Sequence, residues 1–277
     1  MTGSTSVVVR RLEASDIPQA VELSEQAGWN QTIEDWRLLI DLSPDACFAI
    51  AVDGELAATT TLIRYGRRLA WIGMVLTKEP YRGRGFAKRL LTEVLNHADQ
   101  LGIETVKLDA TDQGQPLYEQ MGFRCEQPVE RWSRRASEDA GVAMPRVKVL
   151  LPEDCRTADQ HAFGVDRSEL LHWLGRRGIS QLNGNSYMMT RPGRNSDYLG
   201  PSVCDAPESA RKLVEQALEN GKDRGWAWDL LPRNSNAVAI ARDLGFSPSR
   251  HLQRMVRGKD LQVQEALIYA IAGFELG

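Results

Sequence analysis

Apolar and polar positions along the chain switch between two periods, and each change of period marks an element. Val7–Arg11 alternates weakly and predicts a first strand. Ser15 is a good N-cap and Pro18 falls within a first turn, so a helix opens there and runs to about Ala27, ahead of Gly28. Positions 32–42 predict a second helix that ends ahead of Pro44. Positions 47–52 and 55–65 suit strands and flank Asp53-Gly54, a dipeptide that signals a tight hairpin. Positions 69–77 are apolar almost throughout and predict an interior strand. After a glycine-bearing turn, Leu90, Leu91, Val94, Leu95, Ala98 and Leu101 form one stripe at helical spacing. Gly102 ends that helix, 106–110 predicts a strand, 115–121 a short helix closed by Gly122, and 123–132 a last strand region.

Positions 133–146 carry Ser, Glu, Asp, Gly and Pro with few large apolar residues and predict a linker. Beyond it the same plan returns more faintly. Leu213, Val214, Ala217 and Leu218 repeat the helical stripe, and 226–231 echoes 106–110 with Asp229 standing where Asp109 stands. Leu244-Gly245-Phe246 echoes Met121-Gly122-Phe123, and in each half an arginine follows the Phe by eight positions, Arg131 and Arg254. Four echoes in one order predict a structural duplication, with domains at 7–136 and 147–277.

Composition narrows the classes of function. The 277 residues are 42% hydrophobic and 26% charged, the balance of a globular protein that can bury one or two cores. No apolar run approaches the roughly 18 residues of a membrane helix, and 1–6 lacks the features of a signal peptide, so no membrane role and a cytoplasmic location are expected. A net charge of −3 argues against broad nucleic-acid binding. Arg67-Arg68 and Arg134-Arg135 read as solvated surface. Cys47, Cys125, Cys155 and Cys204, like the four histidines, lack the close spacing of zinc ligands, so no metal is expected. The sequence carries no signal for oligomeric state.

The chemistry concentrates after the interior strand, in Tyr81-Arg82-Gly83-Arg84-Gly85-Phe86-Ala87. A turn from a buried strand into an amphipathic helix aims backbone N–H groups into one concavity, with the positive end of the helix dipole behind them. Glycines let the backbone come close to a phosphate, and Arg82 and Arg84 add charge-assisted contacts. The pattern suits a pyrophosphate. Position 88 is Lys where a dinucleotide fingerprint needs its third glycine, and no Gly-Lys-Ser/Thr is present.

This segment resembles the Arg/Gln-x-x-Gly-x-Gly/Ala loop of the GCN5-related N-acetyltransferases (GNAT), read as Arg82 to Ala87. Leu117-Tyr118-Glu119-Gln120-Met121-Gly122-Phe123 is similar to the family's Leu-Tyr-x-x-x-Gly-Phe segment. The resemblance covers roughly residues 7–136. It implies an α/β fold of two GNAT-like domains, each a mixed, mostly antiparallel sheet flanked by helices. It implies acetyl-CoA as acyl donor, with Val75, Leu76 and Thr77 pairing with the pantetheine arm. Arg82, Gly83, Arg84, Gly85, Phe86, Ala87 and Lys88 would then hold the diphosphate. Tyr118 falls on the family's acid that protonates the departing thiolate, and Asp109 on a strand carboxylate that serves some members as base. An amide near Val75 would stabilise the oxyanion. The family's acceptor wall falls on Trp29, Asp35 and Trp36, suited to an amine through cation–π contact and charge.

The alternative reading makes Tyr118 a packed helix residue, Asp109 a structural group of the following loop, both tryptophans core, and Asp35 an early-helix acid. The sequence departs from the family pattern at Asp112-Gln113-Gly114, where many members carry an Asn near the cofactor. The second half departs further. Asp205-Ala206-Pro207-Glu208-Ser209-Ala210 has no glycine pair, no arginine and two acids, and position 241 is Ala. It does keep Asn234 and Asn236. That half resembles a degenerate copy that does not bind CoA. The expected activity is N-acetylation of a small-molecule primary amine. A protein N-acetyltransferase, a non-catalytic CoA sensor or scaffold, and a nucleotide-binding protein are the alternatives.

Overall fold

The computed structural model describes residues 6–136, 150–221 and 224–277. Most of the predicted linker and most of residues 1–6 lie outside them. Contacts divide the chain into two compact units, Met1–Leu108 and Asp109–Gly277.

The first unit opens with β1 (Val7–Arg11), α1 (Ile17–Gln26) and α2 (Ile33–Leu42). The strands β2 (Phe48–Val52), β3 (Glu55–Tyr65) and β4 (Leu69–Thr77) follow, then α3 (Phe86–Gln100) and β5 (Thr105–Ala110), whose last two residues belong to the second unit. The strands lie in the order β1-β2-β3-β4-β5, antiparallel except for the parallel β4–β5 step. Asp53 and Gly54 turn β2 into β3 with φ of 50° and 86°. Two positive φ values in a two-residue loop match the twist of the strands it joins, which is why that dipeptide marks a hairpin. β2 is buried at every residue and β3 at nearly all, because α3 and the α1–α2 pair both cover the sheet. The α3 stripe of Leu90, Leu91, Val94, Leu95 and Ala98 forms the centre of this core.

The second unit contains α4 (Gln115–Gln120), β6 (Arg124–Arg134), α5 (Glu153–Phe163), α6 (Ser168–Arg177), β7 (Ile179–Asn183), β8 (Ser186–Arg191) and β9 (Asp197–Val203). It continues through α7 (Pro207–Asn220), β10 (Trp226–Leu230), α8 (Ser235–Asp243), β11 (Ser247–Gly258) and β12 (Ile268–Ala270). Its strands run β11-β6-β10-β9-β8-β7, with β12 on β9. Here too the ladders are antiparallel except for one parallel step, β9–β10. The core gathers Trp228, Phe246, Leu213, Val214, Tyr269 and Trp132. Trp228 and Phe246 meet edge to face at 5.4 Å, an arrangement that aromatic quadrupoles favour.

β6 has a pairing that no sequence pattern foretold. Both of its neighbours come from the repeat: β10 with Asp229 opposite Arg131, and β11 with Ser247 opposite Ser133 through Val256 opposite Arg124. The last strand of the first copy is thus built between strands of the second. Among the described residues no helix is long and apolar enough to cross a membrane.

Candidate active site

The predicted phosphate loop follows β4 through a short 3₁₀ turn, Glu79–Tyr81. Gly83 and Gly85 adopt φ of 77° and 78°, a left-handed conformation that side chains disfavour, and nothing lies within 4 Å of where either would carry a Cβ. Gly85 caps α3, and the first intrahelical bond there is Arg89 N–H to the Gly85 carbonyl at 3.0 Å. The N–H groups of residues 83–88 therefore donate to no acceptor among the described residues. Six free amides at a helix start form a strong anion-binding concavity.

The side chains around the loop reinforce it. Lys78 pairs with Glu55, which also accepts from the Tyr81 hydroxyl at 3.4 Å. Tyr81 and Phe86 stack at 6.1 Å, and the Arg84 guanidinium lies 5.3 Å above the Tyr81 ring. Arg82 Nε donates to the Thr77 carbonyl at 3.3 Å. Arg82, Arg84, Lys88 and Arg89 have no carboxylate partner among the described residues, so the rim keeps an excess of positive charge.

β4 itself is open on one side. Its parallel ladder with β5 consists of Ala70 opposite Val106 and Trp71 opposite Lys107, and then stops. From Ile72 to Thr77 the edge toward β5 has no strand partner among the described residues, and Val75, Leu76 and Thr77 lie on that stretch. On the other side the β3 register slips between Thr59 and Thr61, so β4 bulges at Met74, whose φ is 48°. The Thr59 hydroxyl donates to the Met74 carbonyl at 2.8 Å and pins the bulge. Bulges re-aim backbone groups beside active sites, and this one turns the Val75 region away from the regular ladder. Sequence reasoning missed Thr59, since nothing but the bulge distinguishes it from the other threonines of β3.

Two of the three residues expected in an acceptor wall, Trp36 and Asp35, take part in the packing and capping of α2. Trp36 is wholly buried, with its indole N–H 3.3 Å from the Ser24 hydroxyl. Asp35 is 2% exposed and closes a capping box on α2: its carboxylate accepts from the Thr32 N–H at 2.8 Å and the Thr32 hydroxyl at 2.9 Å. So buried and so engaged, Asp35 is part of the cap of α2. Trp29 is half-buried at the end of the α1 connection.

In the second unit, Tyr118 lies on α4 and is 9% exposed. Its ring meets Phe123 edge to face at 6.1 Å and packs so closely over Gly114 that a Cβ there would sit 3.0 Å from Cε2. No group among the described residues hydrogen-bonds its hydroxyl. Burial pushes the phenol up to about 12. The Asp112-Gln113-Gly114 turn is closed by Thr111, whose hydroxyl accepts from the Gly114 N–H at 3.2 Å.

Asp109 is placed differently from a base awaiting a proton. Its side chain is 0% exposed and accepts two hydrogen bonds from Arg254, at 2.8 Å from Nε and 3.0 Å from Nη2. The counterpart Asp229 is bound in the same way by Arg131, with both bonds at 2.6 Å. Burial opposes the Arg131 charge, but Asp229 holds the guanidinium above its ordinary value.

Comparison with known proteins agrees with this geometry. Residues 14–123 match a family model described as the acetyltransferase (GNAT) family, and residues 155–270 match a second, described as an acetyltransferase (GNAT) domain. The chain is 24% identical to the uncharacterized N-acetyltransferase YitH of Bacillus subtilis (strain 168), over 96% of this chain and 97% of that one. It is 23% identical to holothin acyltransferase of Pseudoalteromonas sp. (strain SANK 73390), over 90% of this chain and 87% of the other. Among solved structures, one from Pyrococcus horikoshii superposes with a TM-score of 0.86 at 22% identity, covering 98% of this chain and 96% of that one. With one such fold in each half, the chain is a tandem member of the acetyltransferase (GNAT) family.

Proposed function

We propose that the protein transfers an acetyl group from acetyl-CoA to a primary amine of a small molecule, by direct attack of the amine on the thioester. The observation that carries this reading is the loop at residues 83–88. Among the described residues, six amides without an acceptor and two left-handed glycines sit beside cations without a carboxylate partner, at the end of a strand whose edge has no strand partner. The diphosphate of the donor suits the amides, with Arg82, Arg84 and Lys88 supplying charge. The pantetheine arm continues along β4 by pairing with Val75, Leu76 and Thr77. The bulge at Met74 directs a Val75 backbone group to the thioester carbonyl, whose oxygen gains charge as the amine attacks. The relatives' names support acyl transfer as the chemistry.

Tyr118 carries the role that the resemblance assigns, with one refinement. A phenol held up to about 12 keeps its proton at neutral pH. Full transfer to a thiolate of ordinary pKa near ~8.5 is then uphill. Its contribution begins as a hydrogen bond to the departing sulfur; as the C–S bond breaks the sulfur takes the phenol proton, and the phenol is restored by the proton that the attacking nitrogen sheds in becoming an amide. Asp109 is not given the role of base: it cannot take a proton without giving up two bonds to a buried guanidinium. The second half is given no CoA. Its loop is closed by Asp205, which accepts from the Ser186 hydroxyl at 2.7 Å, while the Asp205 N–H donates back to that oxygen at 3.1 Å.

The direct test is thermal stability with and without excess acetyl-CoA, followed by thioester consumption over a panel of amines. Stabilisation by acetyl-CoA together with release of free CoA is the expected result. Stabilisation without turnover on any amine would make the protein a CoA sensor, and no stabilisation would remove the loop assignment.

A further inference from the structure

The two parallel ladders give a residue-by-residue correspondence between the halves. If Asp109 is set on Asp229, the pairs Ala70–Val106 and Trp71–Lys107 coincide with Asp197–Trp226 and Tyr198–Ala227. The same register sets Gly200 on Gly73, Ser202 on Val75, Val203 on Leu76 and Cys204 on Thr77. The β9–β10 ladder also stops early, after Trp228 opposite Leu199. Beyond that point the two strands part, as β4 and β5 do.

In the second half the gap is filled by the chain itself. β12 enters antiparallel to β9, with Ile268 opposite Val203 and Ala270 opposite Ser202, and the Cys204 N–H donates to the Leu267 carbonyl at 3.0 Å. On the other side the Ile271 N–H donates to the Asp229 carbonyl at 2.9 Å, and the Trp228 indole N–H to the Tyr269 carbonyl at 2.7 Å. The positions of β9 that receive the segment are thus the counterparts of Val75, Leu76 and Thr77. The segment is bound as a ligand would be. Asn234 directs its side-chain amide at the carbonyls of Ile268, Ala266 and Glu265, at 2.9, 3.2 and 3.4 Å. Gly200, with φ of 137°, leaves the room: a Cβ there would sit 2.2 Å from the Ile271 carbonyl oxygen. Tyr269, Ala270 and Ile271 are each no more than 1% exposed.

We infer that residues 265–271 are a built-in substitute for the pantetheine arm, permanently seated in the second cleft. The correspondence with pantetheine rests on the reading of the first cleft as the acyl-CoA site. The filled cleft explains how the second copy dispensed with a phosphate loop yet kept the GNAT fold. Backbone amides that would stand unpaired in an empty cleft are satisfied by the chain, and Asn234 is retained because it still has a ligand to hold. Thr111 stands in the corresponding place in the first half. Both residues cap the turn that follows, Thr111 to Gly114 and Asn234 to Ala237, but Asn234 adds the donor.

Hydrogen exchange on the full chain, with and without acetyl-CoA, tests the inference. The amides of Cys204 and Ile271 are expected to be strongly protected without ligand and unchanged on adding acetyl-CoA, with one molecule bound per chain by calorimetry. Exchange at the rate of an unstructured segment, loss of protection at 268–271 on ligand addition, or two molecules per chain would overturn it. If no acetyl-CoA binds at all, the first-cleft reading fails, while the protection of Cys204 and Ile271 still decides whether the second cleft is filled. Asn234→Ser keeps an oxygen to cap α8 and removes the amide donor. It should speed exchange across 265–271 at least tenfold and leave acetyl-CoA affinity unchanged. Unaltered exchange in this variant would show that Asn234 does not hold the segment.

Discussion

Arg254 grips Asp109 through two hydrogen bonds, and the same residues of the other copy do likewise, Arg131 gripping Asp229. The pairs are crossed. Each arginine of one repeat serves the aspartate of the other; Arg131 meets Asp229 because β6 pairs with β10 and sets the two residues opposite each other. The echo of Asp and Arg along the sequence is therefore a record of packing. Side-chain exposure of 5% and 0% for Arg254 and Asp109, and 11% and 2% for Arg131 and Asp229, makes these buried pairs.

Removing one partner of such a pair strands a buried charge and costs about 3–5 kcal/mol, whereas replacing both by apolar residues is often neutral. Asp109→Ala should lower the unfolding free energy by about that amount. Asp109→Leu combined with Arg254→Met should recover most of it. The deciding measurement is kcat of the double variant. Turnover near wild type confirms the structural role, and recovered stability with lost turnover would return Asp109 to the chemistry.

Tyr118→Phe removes a hydroxyl without changing the packing on Gly114 and Phe123. kcat should fall by about 10²–10⁴, the usual range for a positioned proton donor, with the KM for acetyl-CoA unchanged. Steady-state kinetics suffice, and equal kcat values would leave Tyr118 a packing residue.

The same phenol sets a pH dependence. Its folded value, raised to about 12 by burial, lies above the ordinary value of about 10. The stability it contributes is fully present below pH ~10 and is lost as pH rises toward ~12. Chemical denaturation across that window should show a shallower decline in Tyr118→Phe than in the wild type. Parallel declines would mean that the hydroxyl ionises with its usual value.

Gly85→Glu forces a side chain into a left-handed position and sets a carboxylate among the free amides. A native-state ligand at 100 times its Kd adds about 2.7 kcal/mol, a shift of a few degrees for a chain of this size. That shift should vanish in Gly85→Glu, whose own Tm without ligand should fall by a few degrees, since a left-handed side chain costs about 1–2 kcal/mol. A retained shift would place the donor elsewhere.

What the sequence made legible was local. The Asp53-Gly54 hairpin, the α3 stripe and the glycine loop each follow from neighbouring residues, and each stands where the pattern set it. Pairing between strands distant in sequence was not legible. The echo identified Arg131 and Arg254, but no periodicity says which carboxylate, 98 or 145 residues away, each will meet. β12 has three residues, too few to carry a period, so the segment that fills the second cleft left no signal. The bulge at Met74 depends on register, which β3 and β4 settle together. At Asp35 the signal was present: Thr32-Ile33-Glu34-Asp35 has the spacing of a capping box, which is enough to read the acid as an early-helix residue of α2.

That residue offers a clean separation of two roles. As the closing member of the capping box, Asp35 can be replaced by Glu, the residue most often found at that position. Asp35→Glu should therefore keep wild-type stability, and Asp35→Ala should lose about 1 kcal/mol. Neither should change the KM for the amine, because Asp35 is 2% exposed and its Oδ2 is held by the Thr32 N–H and hydroxyl. Denaturation curves and amine KM values for both variants decide the matter. A raised KM in both, whatever happens to stability, would restore Asp35 to the acceptor site.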